Sequence, residues 1–538
     1  MTGINYSTDK VWAQIACLKR IMKNLVELAP LIILYFIIMP GSGYPRTGET
    51  LFDVRDFGAK GDGSTLNTKY LQAAIDSCYS AGGGSVFFPA GRFLTGSIRL
   101  KSNVFLELGS GATILGSKDI SDFPYHALIS ADGASNVGIV GSGFVDGQGS
   151  TFWKGKERPY HRPRFLIRFD SCRNVRIEDI NIRNSPRFNI SLSECKLVEI
   201  HGISIINDRE SPNTDGIDPD GSSDVFISDC YISTGDDAVC LKSNDRDAIT
   251  SDIVVQNCVL ETDDSALKCG TSSHGVIKDC TFNNIIIKNS RYGISLFMKD
   301  GGTFEGLKFS DIILQTETAA YCKAGRYSFP IFMDIERRSD ASSLGWIRNI
   351  SFDNIDIETY NGNCLFLGQP NDEIENVVMN NVRMRVLKRI DYSQRHKPRG
   401  TRTLTSTASN DYADISSHFT LAYMKDLTIR GLTIRDSDRL TDFERCVLWG
   451  KDLQEILIDG MKTRQVIKNQ RDPVIEMIEC ANVTIRNCEP DSSGGPFLGI
   501  SGKGSARIRL IGNDLSRTRK TVEFSGGASK ESVQVLGE

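Results

Sequence analysis

The chain has 538 residues, of which 40% are hydrophobic, and its net charge is −4. The apolar fraction is ample for a large core, and the lack of a basic excess argues against nucleic acid as a partner. At the amino-terminal end, an apolar run at 31–39 follows the cations of 19–23. This order predicts a secretory signal with an upstream extension at 1–43. Met1 and Met22 are both candidate starts, and an uncleaved anchor is the alternative, although the run is short for a bilayer span.

The next recognisable element is a single helical pattern. Residues 68–79 (TKYLQAAIDSCY) place apolar side chains at the spacing of an amphipathic helix. The helix lies before a long series of repeats whose first coil has an open edge. Because such an edge needs covering, we expect this helix to cap the amino-terminal end of the repeats.

A short pattern then recurs to the end of the chain, mostly in steps of about 23 to 29 residues. Its copies begin at Asn174, Leu197, Asp224, Asp252, Gly306, Asn349, Asn376, Asp426, Glu455, Asn482 and Arg507. Each copy has two runs of alternating apolar and polar residues around Asn, Asp or Gly, which predicts two strands joined at a bend. Strands this short bury a face only by stacking coil on coil. Residues 44–538 are therefore predicted to form one all-β domain, a right-handed parallel β-helix of roughly ten coils or more.

Several features refine this prediction. Two long steps predict loop insertions at 315–330 and 389–417, of the kind that wall a binding groove. The competing solenoid, a leucine-rich repeat, lacks support because its leucine spacing is absent. Cys230, Cys258 and Cys280 recur at matching places and fit small stacked core residues, although one or two disulfides remain open.

Three acidic clusters fall on successive coils of the repeat. They are SPNTDGID from Ser211, TGDDAVCLKS from Thr234 and TDDSALKCG from Thr262. Asp215 and Asp236 are 21 residues apart, close to one turn of the coil, so we expect one to stack above the other on a shared face. Gathered carboxylates repel each other and raise at least one pKa, as an acid–base pair for glycosidic cleavage requires. The alternatives are bend aspartates and a calcium site.

The same residues carry a resemblance to a known family. NTDGID from Asn213 and GDDAVCLKS from Gly235 resemble the leading motifs of glycoside hydrolase family 28, the polygalacturonases and rhamnogalacturonases. FDVRDFGAKGDG from Phe52 and GFVDGQGSTFW from Gly143 resemble its opening coils. The likeness ends near Ile357, beyond which only the coil pattern supports it. It implies hydrolysis of a pectic polysaccharide.

The resemblance also implies roles for particular residues. Asp236 matches the family's general acid, and Asp215 and Asp237 match the pair that holds and activates water. Asn213 and Lys242 match positions that line the substrate cleft. The inverting mechanism implied by this match needs room for water between acid and base, with carboxyl groups about 6.5 to 9.5 Å apart.

The chain also departs from the family pattern one coil later. Polygalacturonases carry Gly-His-Gly where this chain has Thr262-Asp263-Asp264, and we take Asp263, Asp264 and the nearby Lys268 as candidate substrate-binding residues. His274 is a candidate substitute for the missing histidine, and a solvent-exposed turn histidine is the alternative.

A second departure from the family pattern concerns the residues that bind the galacturonate carboxylate. The family's Arg-Ile-Lys aligns with 295–297, which contains no cation. Lys299 or Arg337 is a candidate replacement, since arginine can hold a carboxylate with two hydrogen bonds, and an ordinary surface charge is the alternative for each. The departures resemble the rhamnogalacturonan-directed branches of the family, and they predict a branched pectin or a sugar without the expected carboxylate.

Two rival functions remain. A polysaccharide lyase shares the predicted fold but needs a basic residue at the cleavage point and usually calcium. A non-catalytic carbohydrate-binding β-helix has no need of adjacent aspartates and would favour aromatic platforms. We expect a secreted or periplasmic monomer with a pectic partner, no nucleic-acid or membrane partner, no cofactor and no bound metal.

Overall fold

In the computed structural model, the described residues are 50–156, 161–317, 328–360, 363–388, 409–413, 415–437, 446–464, 472–491 and 495–537. The predicted signal and extension at 1–43 lie outside them, as do most of the two predicted insertions. Both the signal and the domain boundary at residue 44 therefore stay predictions. None of the helices within the described ranges is long and apolar enough to cross a membrane.

Strands dominate the described residues. In chain order they are β1 (Leu51–Asp53), β2 (Gly84–Phe88), β3 (Gly91–Thr95), β4 (Ile98–Arg99), β5 (Val104–Leu108), β6 (Ala112–Gly116), β7 (Ala127–Asp132), β8 (Ser135–Gly141), β9 (Phe144–Asp146), β10 (Phe165–Asp170), β11 (Arg173–Glu178), β12 (Asn181–Arg183), β13 (Phe188–Ser193), β14 (Lys196–His201), β15 (Ser204–Ile206), β16 (Ile217–Asp220), β17 (Ser223–Ser228), β18 (Tyr231–Thr234), β19 (Val239–Ser243) and β20 (Ile249–Gln256). They continue as β21 (Val259–Thr262), β22 (Ser265–Ser273), β23 (Val276–Ser290), β24 (Tyr292–Met298), β25 (Thr303–Thr316), β26 (Phe329–Ile335), β27 (Trp346–Tyr360), β28 (Cys364–Leu367), β29 (Ile374–Lys388), β30 (Ser417–Arg430), β31 (Thr433–Asp436), β32 (Cys446–Asp459), β33 (Lys462–Arg464), β34 (Ile475–Ile478), β35 (Ala481–Arg486), β36 (Pro496–Ser501), β37 (Ala506–Ile511), β38 (Lys520–Ser525) and β39 (Val533–Leu536). The α-helices are α1 (Thr68–Ser80), α2 (Ser150–Trp153) and α3 (Ser409–Tyr412), and short 3-10 helices cover Val54–Phe57, Ile120–Asp122 and Lys530–Ser532.

The strands stack in parallel ladders, each strand pairing with its counterpart on the next coil. One of these, which we call the groove ladder, runs through β4, β7, β10, β13, β16, β19, β22, β24, β26, β28, β30, β32, β34, β36 and β38. Crossovers between parallel strands are right-handed in protein sheets. The predicted right-handed parallel β-helix is confirmed, and the groove ladder exceeds the roughly ten coils expected from the repeat.

The core fills the space between the ladders with stacked aliphatic side chains. Val175, Val198 and Val225 occupy one such position on successive coils and are essentially inaccessible to solvent. β-branched side chains suit this environment because they pack well on a pleated surface. Burying each stabilises the fold by roughly 1.5 to 3 kcal/mol, so a charged replacement of Val198 would break the stack in the middle.

The bends between strands follow the polar residues that the repeat places there. Asn174, Asp224 and Asn349, each the first residue of a repeat copy, have φ angles between 55° and 58°. Asn and Asp tolerate this left-handed conformation better than other side chains that have a Cβ. Stacked bend residues also bond to each other, as when the Asn284 side-chain amide donates to Asn257 Oδ1 at 2.9 Å. The repeat therefore specifies the corners of the coil as well as its strands.

Helix α1 is the predicted amino-terminal cap. Leu71, Ala74, Ile75 and Cys78 form its buried face, at the spacing expected of an amphipathic helix. The helix packs against the first strands of the β-helix, β1, β2, β4 and β5. It therefore covers the open end of the first coil, and the prediction is confirmed.

The two predicted insertions are only partly described. Strand β25 runs to Thr316 and β26 begins at Phe329, so 318–327 of the first insertion lie outside the described residues. Of the second, the structure describes 409–413, where α3 lies, and 415–417. Within the described ranges the cysteines are buried, which agrees with their predicted packing role.

Candidate active site

An open groove of about 440 Å³ lies along the groove ladder between β10 and β22. Its lining is almost entirely polar and carries both signs of charge. The residues that line it are Arg164, Phe165, Arg168, Phe188, Ser191, Ser193, Asn213, Asp215, Asp218, Asp220, Asp236, Asp237, Lys242, Asn244, Asp264, Lys268, Gly270, Thr271 and Ser272. The acidic clusters of the sequence therefore meet in one groove.

Two residues at the corner where each coil enters the groove ladder form the centre of the site. We call them the corner dipeptide. Following the strand register along the ladder, they are Arg164-Phe165, Arg187-Phe188, Thr214-Asp215, Asp236-Asp237, Asp264-Ser265 and Arg291-Tyr292. Backbone hydrogen bonds between neighbouring coils, such as Gly216 N–H to the Asp237 carbonyl at 2.8 Å, fix these corners.

The register corrects one expectation. Ile217 pairs with Val239, so the coil at this point has 22 residues and Asp237, not Asp236, stacks on Asp215. Asp236 stacks on Thr214 instead, one column to the side. The predicted spacing of 21 residues is off by one because Asp236 and Asp237 are adjacent and only the strand pairing distinguishes them.

Two threonines hold the central corner. The Thr234 hydroxyl donates to the Asp236 carbonyl at 2.6 Å, and the Thr262 hydroxyl of the next coil donates to the same carbonyl. The Asp237 N–H donates to Asp236 Oδ1 at 3.1 Å. Because both threonines are fully buried, the two adjacent carboxyl groups are presented from a rigid frame.

The carboxyl groups are crowded and buried. One oxygen from each of Asp236, Asp237 and Asp264 lies within 4.8 Å of the others, and one oxygen from each of Asp215 and Asp237 lies within the same distance of the other. All four residues are at most 8% exposed. Like charges at this distance oppose each other's ionisation, and burial adds to the effect.

Burial raises the pKa of both Asp215 and Asp237 to about 7, and neighbouring carboxylates add to the rise. Burial also raises the pKa of Asp218 to about 6. The nearby ammonium groups of Lys242 and Lys268 pull in the other direction. These carboxyl groups therefore change protonation near neutral pH, the range in which acid–base catalysts work.

Buried cations offset part of the negative charge. Lys242 Nζ lies 3.0 Å from Asp215 Oδ2 and 2.6 Å from Asp218 Oδ2, and Lys268 Nζ lies 2.7 Å from Asp237 Oδ2. Burial disfavours the charged form of Lys242, but Asp215 and Asp218 outweigh it and raise its pKa well above the ordinary value. These lysines therefore keep their charge inside the groove.

Most predicted site residues come together here. Asp215, Asp236, Asp237, Lys242, Asp264, Lys268 and Asn213 all line the groove. Asn213 is held by Arg162, whose Nη2 donates to Asn213 Oδ1 at 2.8 Å. Burial lowers the pKa of Arg162 to about 10, and the charge of Arg187 contributes.

Four predicted substrate-binding residues do not line the groove. Asp263 is fully buried, 3.8 Å from Arg209 Nη2. His274 is 41% exposed and lies 3.7 Å from Asp300.

The structure also corrects the placement of the two candidate galacturonate grips. Lys299 is buried between Asp334 and Glu336, which lies 2.8 Å away. Arg337 donates to the carbonyls of Asp340 and Ser342, each at 2.7 Å. Both cations are engaged by groups outside the groove, and their role in binding galacturonate stays a prediction.

Other groove residues were missed by the sequence argument. Asp218 and Asp220 occupy alternate positions of β16, so both side chains point into the groove. The alternation of acidic residues in the IDPD segment was the signal for this arrangement. Phe188 precedes the first acidic cluster by one coil, and Arg164 and Phe165 precede it by two. Their signal was the Pro-Arg-Phe triplet that occurs twice, at 163–165 and 186–188, 23 residues apart.

A cation site is the remaining chemical alternative for the carboxylate cluster. Asp236, Asp237 and Asp264 supply the oxygen ligands that hard cations prefer. However, Lys268 already pairs with Asp237, and Arg291 Nη1 pairs with Asp264 Oδ1 at 2.8 Å. Because protein cations neutralise two of the three carboxylates, the arrangement fits acid–base chemistry better than metal binding.

A long parallel β-helix with crowded, buried carboxyl groups in a surface groove defines a glycosidase of the solenoid type. The sequence model described as "Glycosyl hydrolases family 28" matches residues 78–389. The chain belongs to this family.

Relatives and solved structures agree. A "Probable polygalacturonase" from Vitis vinifera is 31% identical over 361 residues, which is 61% of this chain and 72% of the relative. The exopolygalacturonase of Thermotoga maritima superposes with a TM-score of 0.55 at 24% identity, covering 64% of this chain and 89% of its own. That of Yersinia enterocolitica gives 0.57 at 19% identity, covering 77% and 78%. These two structural likenesses show the fold alone.

Proposed function

We propose that this chain hydrolyses glycosidic bonds in a galacturonate-containing pectic polysaccharide. The observation that carries the proposal is the cluster of buried carboxyl groups in the groove, where Asp236, Asp237 and Asp264 have oxygens within 4.8 Å of one another. The relative from Vitis vinifera supports the substrate class, since it is named a probable polygalacturonase.

The proposed roles follow the positions of the carboxyl groups. Asp236 donates a proton to the leaving glycosidic oxygen as its bond to the anomeric carbon breaks. Asp215 and Asp237 hold a water molecule, whose oxygen bonds to that carbon while one of them takes its proton. Their raised pKa values, about 7, suit groups that must accept a proton near neutral pH.

The test is the variant Asp236→Asn, which keeps the shape of the side chain but has no proton to transfer. We expect a loss of roughly 10² to 10⁴ in turnover on pectic substrates, the usual contribution of general acid catalysis. The matched control is Asp279→Asn, an exposed bend residue of β23 with φ of 54° whose side chain does not line the groove. Normal turnover by Asp236→Asn with an unchanged melting temperature would rule out this residue as the donor.

The stereochemical course needs a separate measurement. Inverting enzymes usually hold their two carboxyl groups about 6.5 to 9.5 Å apart, whereas oxygens of Asp236 and Asp237 lie within 4.8 Å of each other. Inversion releases the product with the opposite anomeric configuration. Proton NMR of the first product distinguishes inversion from retention. An unsaturated product, detected by its ultraviolet absorbance, would instead assign the groove to a lyase.

Binding without catalysis is the second candidate, because Phe165 and Phe188 give the groove an aromatic surface. Saturable oligosaccharide binding by the unmodified chain, with no product after prolonged incubation, would favour it. We also propose export by the segment at 1–43 and a monomeric mature protein. Amino-terminal sequencing of secreted material and light scattering test these two points.

A further inference from the structure

The amino-terminal end of the groove differs chemically from its centre. Here the corner dipeptides are Arg164-Phe165 and Arg187-Phe188, which occupy the same corner as Asp236-Asp237 on later coils. Phe188 lies one coil from Asp215, and adjacent coils are about 4.8 Å apart. This surface, which we call the arginine end, is therefore contiguous with the carboxyl groups.

Aromatic rings form the base of the arginine end and cations surround them. The rings of Phe165 and Phe188 are 5.7 Å apart. The guanidinium groups of Arg164 and Arg168 lie 5.2 and 4.8 Å from the Phe165 ring centre, and that of Arg187 lies 4.6 Å from the Phe188 ring centre. Lys242 Nζ also lies 4.6 Å from the Phe188 ring centre. The cations therefore lie over the rings, and they place charged donors for a sugar carboxylate beside apolar side chains.

Two of these arginines lack a carboxylate partner. Arg168 pairs with Asp170 at 2.7 Å, and Lys242, Lys268 and Arg291 are engaged as described above. In contrast, Arg164 and Arg187 make no ion pair with any residue that the structure describes. The Arg187 Nε atom is buried and has no hydrogen-bond partner, a condition that costs free energy unless a ligand completes it.

The electrostatic surroundings agree with this contact pattern. Burial lowers the pKa of Arg187, and the positive charge of Arg164 contributes in the same direction. The positive charge of Arg164 therefore disfavours the charge of Arg187. An anion placed between them would relieve this repulsion, and arginine forks bind carboxylates with two parallel hydrogen bonds.

At the carboxyl-terminal end of the groove, the residues that the structure describes form no such site. There the groove ladder continues with Ser295 and Phe332 above Lys268. Phe332 packs with Tyr292, Phe297 and Phe329 in an aromatic cluster, and three of these four rings are buried. The cations beside this cluster are already engaged: Arg291 pairs with Asp264, Lys268 with Asp237, and Lys299 with Asp334 and Glu336.

We propose that the arginine end is a carboxylate-binding subsite in which Arg164 and Arg187 hold the carboxylate of a uronosyl residue bound beside Phe188. The sugar on the other side of the carboxyl groups is then bound without recognition of charge. The chain would cleave a bond beside a uronate whose neighbour is neutral. This inference rests on the proposed function and names the side on which the charged sugar binds.

The test compares Arg187→Gln and Arg164→Gln with the unmodified chain. The substrates are the shortest galacturonate-containing oligosaccharide that the unmodified chain cleaves, and the same compound with its carboxyl groups reduced to alcohols. We expect KM for the acidic compound to rise roughly tenfold to a hundredfold in each variant, as expected for losing a charge-assisted hydrogen bond. We expect kcat to change by less than about threefold, because neither arginine contacts the reacting bond.

Three comparisons separate this role from a structural one. KM for the reduced compound should be unchanged, and Arg187→Lys should recover only part of the loss, since lysine lacks the planar fork. The control is Arg173→Gln, which removes an exposed arginine on a neighbouring ladder of the same coil, outside the groove. Its KM values should equal those of the unmodified chain.

The outcomes are distinct. Unchanged KM in both variants, or equal KM of the unmodified chain for the acidic and reduced compounds, would overturn the subsite. If Arg187→Gln fails to fold, the exposed Arg164 decides alone. If the unmodified chain cleaves no galacturonate compound, the proposed function fails, and calorimetry with trigalacturonate decides the subsite: binding weakened by Arg164→Gln supports it, and unaltered or undetectable binding overturns it.

Discussion

Replacing Asp215 by asparagine should make this protein more stable in mildly alkaline solution while abolishing most of its activity. Asp215 is buried, and its pKa is raised to about 7, whereas an aspartate in an unfolded chain has a pKa of about 3.9. Between these two values the folded chain keeps a proton that the unfolded chain releases. Stability therefore falls as pH rises through this range, and the full loss is reached above pH 7.

The magnitude follows from the size of the shift. One pH unit within this range changes the free energy of unfolding by about 1.4 kcal/mol for a single group. From pH 5 to pH 8, Asp215 should therefore lower stability by roughly 2 to 3 kcal/mol. Asparagine cannot ionise, so Asp215→Asn should lack this loss. Lys242 is not left unpaired in the variant, because Asp218 Oδ2 remains 2.6 Å from its Nζ.

The assay is chemical denaturation of both proteins at pH 5 and pH 8. The stability difference between Asp215→Asn and the unmodified chain should move in favour of the variant by about 2 to 3 kcal/mol on raising the pH. Asp279→Asn reports on the same substitution at an exposed bend. If Asp215→Asn keeps the same difference at both values, or becomes relatively less stable at pH 8, the buried carboxyl group does not carry the unfavourable charge inferred for it.

Other predictions follow from the same contacts. Asp264→Asn removes the carboxylate that pairs with buried Arg291, so it should lower the free energy of unfolding by about 3 to 5 kcal/mol. It should reduce turnover less than Asp236→Asn does. Denaturation and initial rates measure the two effects, and equal losses of turnover would contradict the prediction. Lys299→Met should lower the melting temperature, since it leaves Asp334 and Glu336 without their cation, but change KM for pectic substrates by less than about twofold; a large KM increase would return Lys299 to substrate binding. Reducing-sugar release should be slower on unbranched polygalacturonate than on rhamnose-containing pectin, and the reverse order would show that the groove recognises galacturonate on both sides.

The fold could be predicted largely from local pattern. Alternating apolar residues and bend residues repeat on every coil, so each copy predicts the same pair of strands and the same bend. Asn174, Asp224 and Asn349, which open three of the copies, do adopt the left-handed conformation. Helix α1 was predictable for the same reason, because its apolar spacing differs from that of the repeats. The coil period also brought Asp215, Asp236 and Asp237 into one groove.

The remaining parts of the site depend on pairing across coils, which spacing alone does not fix. A shift of one residue decides whether Asp236 or Asp237 stacks on Asp215, and only the strand register resolves it. Lys299 and Arg337 were assigned to substrate binding because they lie close in sequence to the position of a missing motif. Spacing along the chain does not show which groups each of them contacts in the folded protein. Arg164 and Phe165 were overlooked because an Arg-Phe pair is unremarkable until it is seen to share a corner with the aspartates.

The corner dipeptide also bears on how such a groove could acquire a different preference. Each coil contributes two side chains at one fixed place, and the backbone hydrogen bonds between coils hold that place whatever the side chains are. Exchanging a single pair, such as Arg187-Phe188 for Thr214-Asp215, alters one step of the groove and leaves the adjoining steps in register. The surface that contacts a polysaccharide is thus a row of equivalent positions about 4.8 Å apart. Substitutions at these positions can change its binding preference one coil at a time without changing the core.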